Sequence, residues 1–144
     1  MKALLSVMAM LTVSPVLAVT ALVYSHPDRW RESGNLVSIL AMSVFGVLTT
    51  PLWPTYIPAI VSCPFIMRRI ATYRTFKSLP LPAILGISLL VGASAGICVM
   101  GPAIVLSLQD SGGLPLDWVW AGALSGGLTL TVISLIYRCE PSSA

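Results

Sequence analysis

Asp110 and Asp117 are the only acids outside the first polar loop that lie near each other in sequence. Two carboxylates can act as general acid and base when they converge on an enclosed pocket. These two flank a short connection containing Ser-Gly-Gly and a proline, which offers little enclosure, and Asp117 is better explained as a helix-start residue beside free N–H groups. His26, the single histidine, sits in the polar stretch Ser25–Asn35 and reads as a solvated loop side chain. Cys63, Cys98 and Cys139 are odd in number, form no C-x-x-C and have no histidine near them, so neither a zinc site nor a disulfide framework is expected. They read as packing residues. No catalytic, cofactor, metal, nucleotide or nucleic-acid signature emerges, and the expectation is a non-enzymatic protein without a cofactor.

The setting of these few groups explains their scarcity. The 144-residue chain is 56% hydrophobic and 9% charged, with a mean hydropathy of +0.92, against roughly 25% charged residues in soluble proteins. A soluble fold of this size cannot hide so much apolar surface. The ionised residues cluster at Lys2, at 28–32, at 68–77, at Asp110 and Asp117, and at 138–140, leaving Ala3–Ser25, Gly34–Met67, Ser78–Gln109 and Trp118–Tyr137 free of charge. Each is long enough to cross a hydrocarbon core, which takes about 20 residues of helix. The expected fold is an all-α membrane protein, a four-helix transmembrane bundle with spans near 3–24, 36–53, 81–108 and 118–137.

The net charge of +3 is therefore read by loop position. With the N-terminus inside, the cytoplasmic segments hold Lys2, Arg68, Arg69, Arg74, Lys77 and Arg138, and the outer loops hold only Arg29 and Arg31. Lys and Arg are retained on the cytoplasmic side, so six against two favours both termini in the cytoplasm of a bacterial inner membrane. A signal peptide is the alternative for the first segment, with Val19-Thr20-Ala21 as a cleavage site, but the apolar run to Tyr24 is longer than a usual h-region.

Prolines shape the rest. Pro15 in the first span removes a backbone bond and crowds the Leu11 carbonyl, which predicts a kink with Ser14 as a local donor. As one helix Gly34–Met67 would measure about 50 Å against a core of about 30 Å. Pro51, Pro54, Pro58 and Pro64 supply the break: Leu36–Thr50 forms most of the second span, and Pro51–Tyr56 forms a turn at the interface, a depth that suits Trp53 and Tyr56. Ile57–Met67 is too short to cross again, and is either re-entrant or laid along the cytoplasmic face. Ile66, Ile70, Tyr73 and Phe76 then line one stripe beside Arg68, Arg69 and Arg74. That spacing fits a cytoplasmic interfacial amphipathic helix meeting lipid headgroups, and equally a basic loop obeying the positive-inside rule.

Pro80 and Pro82 open the third span, Gly101-Pro102 bends its outer end, and the connection Gln109–Asp117 makes the third and fourth spans antiparallel neighbours. No span contains an ionisable group other than cysteine and tyrosine, which argues against proton-coupled transport and intramembrane proteolysis. Hydroxyls supply the remaining polarity, as helix-packing chemistry by default. Gly92 and Gly96, and likewise Gly122 and Gly126, stand four apart, a weak excess over chance for 11 glycines. Such pairs let helix backbones approach closely. Ser88, Gly92, Ala95, Gly96 and Ala103 share the small face of the third span, whereas Leu124, Leu128, Val132 and Leu135 form a stripe on the fourth that suits lipid.

In size and build the chain is similar to the small polytopic immunity and superinfection-exclusion proteins of plasmids and phages, a likeness of architecture without a shared motif. The expected function is non-catalytic protein–protein interaction within the membrane, as an accessory subunit or an inhibitor of a channel or pore. The partners are the lipid bilayer and a membrane protein or further copies of the chain, with no nucleic acid. The alternative is a subunit of an oligomeric channel or transporter without intramembrane charge. An Ile57–Met67 segment inside the bilayer favours transport, and one on the surface favours docking.

Overall fold

The structure is a computed structural model that describes residues 1–25, 53–72, 78–111 and 115–138, with seven single positions between 35 and 45. The span expected over Leu36–Thr50, the loop carrying His26 and Trp30, the segment with Arg74 and Lys77, and Cys139 lie outside the described residues or touch them only at those single positions.

Four long helices are described: α1 (Lys2–Ser25), α2 (Trp53–Thr72), α3 (Leu81–Ser111) and α4 (Leu116–Arg138). Three of them, α1, α3 and α4, are long and apolar enough to cross a membrane. At the starts of α3 and α4, proline residues serve as acceptors. The Pro80 carbonyl takes the N–H groups of Ala83 and Ile84, and the Pro115 carbonyl takes those of Trp118 and Val119, which satisfies donors that the first turn of a helix leaves free. Asp117 lies in the first turn of α4, where a negative charge favours those same groups, and Arg138 lies in its last.

The stretch Trp53–Tyr56, expected as part of a turn, is the first turn of α2. Pro54 is tolerated there because the first four N–H groups have no partner within a helix in any case. Pro58 and Pro64 lie further in, and α2 continues through both.

Polarity is arranged inside out. The interior holds small and hydroxylated residues, with Ser6, Ser88, Ser125, Thr129 and Ser134 all at most 5% exposed, while Leu90 and Phe65 are each 71% exposed. In water this arrangement would leave large apolar side chains uncovered. Lipid reverses the preference, because tails are as apolar as leucine and helices associate instead through small residues and hydrogen bonds.

α3 and α4 form the tightest pair, and α1 lies along α4. Two clusters mark the ends. Ala9, Met67, Ile133 and Tyr137 pack together near the end that carries Lys2 and Arg138, and Ala18, Met100 and Ala103 pack with Trp118 towards the other.

Candidate functional site: a cavity among the four helices

The contact between α3 and α4 is made by glycines. A Cβ on Gly92 would lie 2.8 Å from Leu130 Cβ, and one on Gly96 would lie 2.9 Å from the carbonyl carbon of Gly122 and 3.0 Å from Gly126 Cα. From the other side, a Cβ on Gly122 would meet the Gly96 oxygen at 2.8 Å, and one on Gly126 would meet Gly96 Cα at 2.7 Å. All four glycines therefore lie in one seam where backbone touches backbone. Beside it Ser88 Oγ donates to Ser134 Oγ at 2.7 Å, a buried bond between the same two helices.

This close approach leaves too little side-chain bulk to fill the space on the side facing α1 and α2. A cavity of about 260 Å³ remains there. α1 contributes Met10 and Ser14 to its wall, α2 Tyr56 and Cys63, α3 the faces of Gly92 and Gly96, and α4 Ser125, Gly126 and Thr129. Among the described residues five that bear hydroxyls line the wall, Ser14, Tyr56, Ser62, Ser125 and Thr129, and the remainder is aliphatic side chain, methionine, glycine, alanine and the Cys63 thiol.

Side-chain bonds hold α2 against this space. The Tyr56 hydroxyl donates to the Met10 carbonyl and meets Ser14, in the stretch of α1 that precedes buried Pro15. Thr55 Oγ1 donates to the Val99 carbonyl at 2.9 Å, and Tyr137 Oη donates to the Pro64 carbonyl at 3.1 Å. Met10 and Val99 lie well inside α1 and α3, and Tyr137 lies next to the end of α4. The segment Ile57–Met67 thus runs down among the other helices from mid-bundle to the Lys2–Arg138 end. Arg68 and Arg69 follow it and are exposed.

Asp110 and Asp117 stand elsewhere. Asp110 is in the last turn of α3 and Asp117 in the first turn of α4, and neither lines the cavity. Among the described residues no group of three His, Cys, Asp or Glu side chains could hold a metal ion, Cys98 is exposed and Cys63 is half-buried. Hydroxyls donate and accept hydrogen bonds.

The cavity itself was not legible in advance, although one signal for it existed. The hydroxyls on the four helices carry no mutual spacing in sequence, yet the small face of α3 and the Gly-x-x-x-Gly pairs together imply a space that side chains do not fill. No family model, curated protein or solved structure matches the chain, so the site is read from its own geometry.

Proposed function

We propose that this is a non-catalytic multi-pass protein of the bacterial inner membrane, with both termini cytoplasmic, acting by contact with another membrane protein as an accessory subunit or as an inhibitor of a channel or pore. In this reading the second span is broken by prolines near residue 51, and the basic stretch Arg68, Arg69, Arg74 and Lys77 meets lipid headgroups on the cytoplasmic side. The observation that carries the reading is the outer row of α2. Trp53, Ile57, Val61 and Phe65 recur every four residues and are 50–71% exposed, while Tyr56, Pro64 and Met67 on the opposite side are buried in the bundle. Large side chains in line on a helix fixed from behind present a shaped surface to a partner helix.

A photo-crosslinking benzophenone amino acid in place of Phe65 tests this, with the same group in place of Leu90 as a lipid-facing control. One discrete heterologous adduct from position 65 and none from position 90 is the expected result. Adducts to lipid alone from both positions refute it. A second reading, a subunit of an oligomeric channel, draws support from the packing of helical Ile57–Met67 against the other helices beside the cavity, the placement that the sequence ties to transport. A homo-oligomer that passes solute in liposomes is its outcome.

A further inference from the structure

Among the described helices α3 is the longest, and it outruns α4 at one end only. Gly92 faces Gly126 and Gly96 faces Gly122, so each step along α3 is matched by one step back along α4. Six residues beyond the second pair, Leu116 at the start of α4 comes level with Pro102. Met100 and Ala103 share a cluster with Trp118, as that register requires. At the other end, eleven residues beyond the first pair, Leu81 comes level with Tyr137, so the two helices finish together there.

α4 matches a bilayer by itself. Between Asp117 and Arg138 it holds twenty uncharged residues, about 30 Å of helix, which is the thickness of a hydrocarbon core. An α3 of equal reach would end near Gly101. Instead it stays apolar through residues 102–108 and meets its first charge at Asp110, an excess of seven residues or about 10 Å. Val105, Leu106 and Leu108 in this excess are exposed. In a bilayer that fits α4, an upright α3 would hold them in water. An apolar stretch longer than the local core adapts by tilting, by kinking or by thickening the bilayer.

α3 has a weak joint where the excess begins. Pro102 offers no N–H to the Cys98 carbonyl, and its ring crowds that oxygen, which favours a bend. A Cβ on Gly101 would meet nothing within 4 Å, so the chain has room to bend at that residue. Before the joint α3 is held fast, by the glycine seam and by Thr55, whose Oγ1 donates to the Val99 carbonyl at 2.9 Å. Just after it Ala103 and Ile104 still pack in the Trp118 cluster, and the exposed side chains follow.

We propose that Gly101-Pro102 is a hinge through which the arm 103–111 follows the thickness of the bilayer, upright in a thick one and folded towards the membrane surface in a thin one. The rest of the bundle stays fixed, so lipid thickness changes what α3 presents at the end that carries Asp110 and Asp117. The hinge rests on α3 and α4 crossing the membrane and is independent of the docking partner.

The test places the full chain, on a Cys63→Ala, Cys98→Ala, Cys139→Ala background, in liposomes of short-chain dimyristoleoyl or long-chain dierucoyl phosphatidylcholine. Spin labels on Leu108→Cys and Leu124→Cys span the joint, and labels on Leu90→Cys and Leu128→Cys lie wholly before it. Double electron–electron resonance reads both distances. An arm of about 10 Å that swings through about 30° moves its end by about 5 Å, so the first distance should differ by about that much between the two lipids while the second stays constant. Pro102→Ala, which restores the missing N–H, should abolish the difference and leave the second pair as it was. An equal 108–124 distance in both lipids, a difference that survives Pro102→Ala, or one matched by the 90–128 pair would each overturn the proposal.

Discussion

Gly126→Ala will force α3 and α4 apart. The new Cβ would stand 2.7 Å from Gly96 Cα and 2.8 Å from Gly96 N, where carbon atoms rest at about 3.5–4.0 Å. The shortfall is about 1 Å, and because both opposing atoms are backbone, no rotamer change relieves it. The helices must separate, loosening the Gly92 and Gly122 contacts and stretching the 2.7 Å bond between Ser88 and Ser134. Overpacking of this kind costs about 1–3 kcal/mol, and the gain in helix propensity returns at most about 1 kcal/mol. Measured against Gly86→Ala, which receives the same propensity gain without the clash, the loss is therefore about 1–3 kcal/mol. Unfolding by SDS in mixed micelles, followed by the fluorescence of Trp118 and Trp120 on α4, reads it directly. Gly86→Ala is the matched control, since a Cβ there meets nothing within 4 Å, and it should be neutral or slightly stabilising. A Gly126→Ala protein that unfolds at the same SDS fraction as Gly86→Ala refutes the backbone seam.

Other consequences use the same assay. A double-mutant cycle of Ser88→Ala and Ser134→Ala should return a coupling of about 0.6 kcal/mol, the usual size for a bond between membrane helices, and zero coupling would mean that the buried pair is not bonded. Ile133→Ala, at 0% exposure, should cost about 2–5 kcal/mol, whereas Leu90→Ala, at 71% exposure, should stay within about 0.5 kcal/mol. Equal losses at both sites contradict the placement of Ile133 inside the bundle and Leu90 on its outer face. Tyr137→Phe leaves the Pro64 carbonyl without its side-chain donor and should cost about 1 kcal/mol, detectable as a lower SDS midpoint. For topology, a fluorescent protein fused after Ala144 should glow and alkaline phosphatase fused there should be inactive, and the reverse pattern places the C-terminus outside.

The three long apolar helices were legible because charge is excluded from hydrocarbon more strongly than any local preference acts, so the gaps between charged clusters mark them. The small face on α3 was legible for a related reason, since helical periodicity alone places Gly92 and Gly96 on one side. The partner of that face was a matter of geometry in space. The short connection before Leu116 makes α4 the neighbour of α3, but only coordinates pair Gly96 with Gly122 and Gly126. The cavity was less legible still, because it depends on four helices at once and on side chains with no mutual spacing.

The course of α2 shows where local rules mislead. Pro58 and Pro64 remove the N–H groups that would have bonded the carbonyls of Pro54 and Ile60, and read locally such residues break a helix. Here α2 stays helical through both, and three side-chain bonds at other atoms tie it to the bundle: Thr55 to the Val99 carbonyl of α3, Tyr56 to the Met10 carbonyl of α1 and, from α4, Tyr137 to the Pro64 carbonyl. Its position is thus set by tertiary bonds more than by its own ladder. The same bonds keep Tyr56 and Cys63 at the cavity wall while Val61 and Phe65 face outward. One proline-rich helix therefore serves the interior and the outer surface together, and a change in how Tyr56 or Tyr137 is bonded would be felt on both.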